Sequence, residues 1–221
     1  MNRPAQIPVK GPSGCLFEVS WEVANMVGGI HTVLASKASF MNAPDSVYGD
    51  LYTVIGPDLH GETQANPAFL PEEFSPDWAR ALSARGLRVR QGRWDVPGKP
   101  RCLLVDFSET YKRKDAVLSW LWEKYQVDSR LGGWDYIEPV LFSYTAGQAI
   151  ECLVAECLAG ENIPVMSQWH EWMVAAGMLY LKIEAPEVAS VFTTHATILG
   201  RSYGGTGRPL PEKMTVEAAA S

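Results

Sequence analysis

The chain is poor in cysteine. Its four, Cys15, Cys102, Cys152 and Cys157, have neither the spacing of a zinc site nor the density of a disulfide scaffold. Positive charge is also scarce: 19 Lys and Arg stand against 25 Asp and Glu, a formal charge of -6. That balance argues against a nucleic-acid surface, because phosphate backbones are held by clustered cations. The basic groups at Arg80 to Arg93 and Lys112 to Lys114 are weak, and acidic residues interleave with the second. No apolar run approaches the roughly 20 residues of a membrane span. Met1 to Gly11 lack the apolar core of a secretory signal. These absences predict a cytoplasmic protein with neither nucleic acid nor membrane as partner. P-loop, GxGxxG and Ser-His-Asp patterns are missing too.

Of the 221 residues, 47% are hydrophobic and 20% charged, the balance of a globular domain with ample core. Cys15 and Cys102 lie inside apolar runs, as small buried hydrophobes do. Strand-like segments at Leu16–Ser20, Leu51–Ile55, Leu87–Gln91, Cys102–Phe107, Ile163–Gln168 and Val188–Thr194 alternate with helix-like ones. The helical candidates are Gly29–Phe40, Asp77–Arg85, Ala116–Tyr125, Tyr144–Ala159 and Glu171–Lys182, and Glu138-Pro139 offers an earlier start for the fourth. Several strands are continuously apolar, as in a parallel sheet covered on both faces. The fold class is therefore α/β: a Rossmann-like, doubly wound parallel sheet. Gly56 to Pro76, proline-bearing and without periodicity, reads as a surface excursion.

In such sheets ligands bind beyond the carboxyl ends of the strands. Three places qualify. Gly28-Gly29 open a helix after the first strand, where bare backbone N–H groups and the helix dipole make an anion site; the same residues suit an ordinary tight turn. Gln168-Trp169-His170-Glu171-Trp172 follow the fifth strand, and Thr193-Thr194-His195-Ala196-Thr197 follow the sixth. Imidazole donates, accepts or titrates near neutrality, so His170 and His195 suit a site; a helix cap suits His170 as well. Glu171 also fits a helix start through the dipole. No zinc site is expected at His170-Glu171, because Val174 and Ala175 stand where the second histidine would be needed.

Taken together, LFEVSWEVANMVGGIHTVL (Leu16–Leu34), IGPD (Ile55–Asp58), GRW (Gly92–Trp94), QWHEW (Gln168–Trp172) and FTTHATILGR (Phe192–Arg201) resemble, in order and spacing, the glycogen synthases of glycosyltransferase family 3. LFEVSWEV, with IHTVL after the glycines, looks more like the bacterial branch. The resemblance implies the N-terminal half of a GT-B enzyme, two Rossmann-like domains facing across a cleft. It implies retaining transfer of glucose from a nucleotide-glucose, UDP-glucose or ADP-glucose, to the non-reducing end of an α-1,4-glucan acceptor, with no cofactor and no catalytic metal. By the same resemblance His195 is the catalytic-site residue beside the donor glucose. Gly28, Gly29 and Arg201 meet the donor's phosphates, and His170 and Glu171 line the acceptor side of the cleft.

Two departures stand out. The family usually carries Lys or Arg where this chain has Met26. Loss of one charge-assisted phosphate contact costs about 1.5–3 kcal/mol, a tenfold to hundredfold effect. The second departure is length: a tail at 1–14, an N-terminal Rossmann-like domain at 15–203 and a short tail at 204–221 leave the second domain absent. The expectation is an N-terminal fragment, inactive alone and in need of the missing C-terminal domain or a complementing chain. The alternative is a non-catalytic glucan-binding or regulatory module.

Overall fold

The computed structural model describes residues 14–61, 64–196 and 205. Its first strand, β1 (Cys15–Val19), is buried at all five positions, the mark of a strand covered on both faces. The two-residue period sorts its side chains. Leu16 joins a core with Tyr52, Val54, Leu104 and the Ile30–Leu34–Ala38 stripe of α1 (Gly29–Met41). Phe17 and Val19 join Ile55, Leu103 and Val105 on the opposite face, under α5 (Trp134–Leu153). Glu18 falls on the α1 face, a carboxylate in an otherwise apolar layer.

The other strands are β2 (Tyr52–Pro57), β3 (Phe69–Pro71), β4 (Arg88–Trp94), β5 (Arg101–Asp106), β6 (Val165–His170) and β7 (Ala189–Thr193). They form one seven-stranded sheet in the order β3-β4-β5-β2-β1-β6-β7. The strands from β5 to β7 run parallel, while β4 is antiparallel to β5 and to β3. The sheet is thus mixed rather than wholly parallel. β4, RVRQGRW, carries polar residues on both faces and is mostly only half-buried, which the antiparallel end of a sheet tolerates better than a parallel centre does. β3 adds a strand inside the Gly56–Pro76 stretch that reads as loop. Gly92 makes this edge possible: a Cβ there would stand 2.4 Å from the Leu70 carbonyl oxygen.

On the β1 face that α5 covers lies α2 (Pro76–Ala84), which starts on a serine cap: Trp78 N–H donates to Ser75 Oγ at 3.3 Å, with Pro76 in the first turn. Short α3 (Ser108–Tyr111) and α4 (Lys114–Tyr125) lead into α5, which begins ten residues before the expected Tyr144. Pro139 lies inside that helix, not at its start, and is buried; packing against the core offsets the lost hydrogen bond. α6 (Ala175–Glu184) crosses α5 closely, and Ser143 Oγ both donates to Val174 O at 2.6 Å and accepts from Gly177 N–H at 2.7 Å. This hydroxyl satisfies an orphan donor in the first turn of α6. Cys15 and Cys102 are buried as expected, and burial pushes the Cys15 thiol up to about 12. No helix among the described residues is long and apolar enough to cross a membrane.

Candidate functional site

The chain leaves β1 to one side, through α1 to β2, and later returns on the other side through β6. β1 and β6 are neighbours in parallel register, Glu18 opposite Gln168 and Val19 opposite Trp169. Their carboxyl ends therefore flank the switch point where an open α/β sheet forms its crevice. His170 is the last residue of β6, two positions beyond the expected end of that strand.

A line of polar side chains runs through this point. Glu18 is fully buried and His170 is 1% exposed. His170 Nε2 lies 2.6 Å from Glu18 Oε1, and His170 Nδ1 lies 2.9 Å from His195 Nε2. The two imidazoles lie edge to edge across this contact, centroids 5.2 Å apart and planes inclined by 21°. Tyr52 donates its hydroxyl to Glu18 Oε2, and Lys37 from α1 forms an ion pair with Glu18 Oε1. Lys37 also donates to Gln168 Oε1 at 3.3 Å, and Gln168 donates to Thr193 Oγ1 at 2.9 Å. Burial alone would raise the Glu18 carboxyl. The His170 hydrogen bond, the Lys37 charge and the Tyr52 hydroxyl outweigh it and hold the group below the ordinary carboxylate range. Glu18 is ionised and fully partnered.

Glu171 fills a different role from its neighbour. Its backbone has φ +69°, a left-handed conformation that costs a non-glycine residue free energy and needs surrounding support. That support is present: Glu171 N–H donates to Thr193 O at 2.9 Å, and its carboxylate accepts from the N–H groups of His195 and Ala196 and from Thr194 Oγ1. Burial pushes this carboxyl up, but those donors prevail and hold it low. Glu171 thus fastens the turn that carries His195, and a single 3₁₀ turn at Trp172–Val174 separates it from α6, so the helix expected at Glu171 starts four residues later. His195 itself is exposed.

The Gly28-Gly29 turn is an anion site, and the anion is the protein's own. Gly28 caps α1, and the N–H groups of Gly28 and His31 each donate to Glu22 Oε2 at 2.9 Å. Gly29 has open space where a Cβ would stand, whereas a Cβ on Gly28 would come within 3.1 Å of Glu22 Oε1. Met26 is 78% exposed. Arg201 lies outside the described residues. The other two motif blocks turn out to be architectural. Asp58 holds Arg90 through two hydrogen bonds of 2.8 and 2.7 Å, and GRW supplies the close β3–β4 approach at Gly92 and the buried Trp94.

Sequence reading singles out both histidines and both glycines but not Glu18, Glu22, Lys37 and Tyr52, which the fold brings into contact with them or with one another. For Glu18 a signal exists, a carboxylate in the middle of a buried apolar strand. Lys37 and Tyr52 acquire their meaning only from tertiary contact.

A doubly wound α/β sheet with a polar line at its switch point defines a ligand-binding class of proteins but no particular member. The sequence supplies the member. The family profile described as Glycogen synthase matches residues 18–211. The glycogen [starch] synthase of Neurospora crassa is 34% identical over 190 residues, 84% of this chain and 26% of its own length. That of Dictyostelium discoideum is 32% identical over 212 residues, 91% of this chain and 22% of its own. The liver enzyme of Rattus norvegicus is 34% identical over 189 residues, with shares of 84% and 26%. This chain belongs to the glycogen synthase family, and it spans about a quarter of the length of these relatives. Among solved structures, the catalytic domain of starch synthase IV from Arabidopsis thaliana, bound to ADP and acarbose, aligns with 83% of this chain and 34% of its own. The identity is 16% and the TM-score 0.43.

Proposed function

We propose that this chain is the N-terminal, acceptor-side part of a retaining GT-B glucosyltransferase. The enzyme moves glucose from UDP-glucose or ADP-glucose to the 4-OH at the non-reducing end of an α-1,4-glucan in the cytoplasm. Residues 15–203 form one wall of the cleft, and a second Rossmann-like domain, on a longer chain or a complementing one, supplies the facing wall. The observation that carries the reading is the line Glu18–His170–His195, which begins in the core and ends at an exposed imidazole beyond the carboxyl end of β7. A fixed imidazole at the switch point can hold a sugar hydroxyl and so orient the anomeric carbon, which is catalysis by positioning. Gly28, Gly29 and Arg201 are assigned to the donor's phosphates, for which Glu22 must give up the Gly28 and His31 N–H groups. His170 is assigned to the acceptor-side wall behind His195, and Glu171 to the turn that presents His195. Neither a metal nor a cofactor takes part in the proposed reaction.

A second reading, a glucan-binding module without catalysis, draws on one observation: Glu22 already occupies the helix start where the phosphates would lie. Incorporation of labelled glucose into glycogen by the full-length protein separates the two. The expected result is transfer by the intact enzyme and a drop in kcat of about a hundredfold or more for His195→Ala, the loss typical of removing one preorganised hydrogen-bonding group. Glucan binding by the intact protein with no incorporation at all would leave the module reading standing.

A further inference from the structure

The orientation of His195 follows from its position, but its proton does not, and the buried end of the line supplies the answer. An ionised carboxylate only accepts hydrogen bonds, so the His170 nitrogen facing Glu18 at 2.6 Å, Nε2, carries a proton. In neutral His170 the other nitrogen, Nδ1, is then bare. It lies 2.9 Å from His195 Nε2, so His195 must donate from Nε2. The remaining nitrogen of His195, Nδ1, is left as an acceptor on an exposed ring. One buried carboxylate thereby fixes two tautomers in series.

We propose that Glu18 and His170 are positioning residues that make the His170–His195 pair a one-proton switch, with His195 Nδ1 accepting a hydrogen bond in the neutral pair and donating one in the protonated pair. Two rings that share one N···N contact of 2.9 Å, centroids 5.2 Å apart, oppose double protonation, because two cations would set N–H against N–H there; the pair takes up a single proton. The proton enters at His195 Nδ1, and the proton on His195 Nε2 passes to His170 Nδ1. One N–H bond breaks and two form. The positive charge comes to rest on His170, against Glu18, while His195 stays neutral with its tautomer reversed. Among the described residues, the charged and titratable groups around the pair are Glu18 on β1, Lys37 on α1, Tyr52 on β2 and Glu171 after β6. Lys37 shares Glu18 Oε1 with His170, so the carboxylate is not committed to His170 alone. Glu171 is engaged by backbone N–H groups of the turn and holds it in either state. The use of this switch on a sugar hydroxyl rests on the proposed glucosyl transfer; the proton arrangement itself does not.

The test uses the 221-residue chain without any donor sugar. Isotope-labelled histidine in long-range proton–nitrogen correlation spectra reports each ring nitrogen as bare or protonated, and His170→Gln and His195→Gln assign the signals. Above the titration His195 is expected as the Nε2–H tautomer. On acidification its Nδ1 gains a proton while its Nε2 becomes bare, with one proton taken up per pair. Glu18→Gln, whose amide can accept or donate, is expected to release the tautomer preference, so that the Nδ1–H form of His195 appears at high pH. An Nδ1–H tautomer of His195 at high pH, or two rings that become cations independently, would overturn the proposal. Because the tautomer is read on the unaltered chain, a Glu18→Gln variant that fails to fold does not shelter it. The glucose-incorporation assay stands apart, so a failed transfer reading and a failed switch give different results.

Discussion

Two turns lie at the same end of the sheet, one after β1 and one after β7, and the protein treats them in opposite ways. At the first, the helix N-terminus is closed from within: Glu22 takes the N–H groups of Gly28 and His31. At the second, the buried carboxylates Glu18 and Glu171 hold the ring and the backbone of His195 while leaving the ring exposed. In each case an internal carboxylate satisfies backbone or ring donors. The difference is where the unsatisfied valence ends up. It is absorbed at the glycine turn and exported to the surface at His195. A shared topological position therefore does not imply a shared chemical role, and the second turn is the better-prepared contact for a ligand.

The harshest way to break this comparison is to remove Glu18. Glu18→Ala strands a buried histidine donor, a buried tyrosine hydroxyl and a lysine. Breaking a buried pair costs about 3–5 kcal/mol, and Lys37, with 28% of its side chain exposed, regains water and brings the loss to the lower end of that range. Urea denaturation at neutral pH should show it. The pH dependence gives an independent sign. Folding holds the Glu18 and Glu171 carboxyls below the ordinary carboxylate value of about 4.3. The unfolded chain thus binds their protons first as pH falls. Their contribution is complete above that value and disappears as pH falls through the depressed folded values. Stability of the wild-type chain should decline on the acid side of about pH 4.3, and Glu18→Ala should flatten part of that decline. An unchanged acid limb in the variant would remove Glu18 from the account.

A milder break comes from behind the second turn. Gly177 lies where α6 crosses α5, and a Cβ there would meet the Ser143 carbonyl oxygen at 2.2 Å and the Trp169 ring at 2.5 Å. Trp169 precedes His170 in β6. Gly177→Ala is expected to cost about 1–3 kcal/mol through overpacking and to disturb the His170–His195 signals while leaving the α1 turn untouched. Equal perturbation of both turns would mean that they are mechanically one unit.

How much of this was legible before folding depends on the kind of signal. The parallel strands were readable because burial on both faces leaves an apolar run, as in CLFEV. Both histidines were readable because each comes at or just after the end of a strand-like run and so sits at a carboxyl end, although β7 itself is mostly exposed. The strand at Leu87–Gln91 was readable but its antiparallel direction was not, because RVRQGRW has polar residues on both faces and no clear alternation, and the three-residue β3 is too short to stand out from its loop. Glu138-Pro139 offers a helix start, but a proline's local preference yields to the burial of the helix around it. Glu22 was missed for a different reason. It is six residues from Gly28 and nine from His31, and only the fold of the intervening turn makes its carboxylate the cap.

That same carboxylate offers the gentlest test of the contrast. Glu22→Gln keeps the shape and one acceptor oxygen but removes the negative charge from the start of α1. Loss of a favourable charge–dipole interaction in a partly buried turn costs about 0.5–2 kcal/mol, the smallest of these effects, and thermal or urea unfolding resolves it. The change should also free the glycine turn to act as the anion site that its sequence suggests, so inorganic pyrophosphate should stabilise Glu22→Gln more than the wild-type chain. If pyrophosphate stabilises both equally, Glu22 is not guarding the turn. The first turn would then be as open as the second, and the contrast between them would reduce to the histidine pair alone.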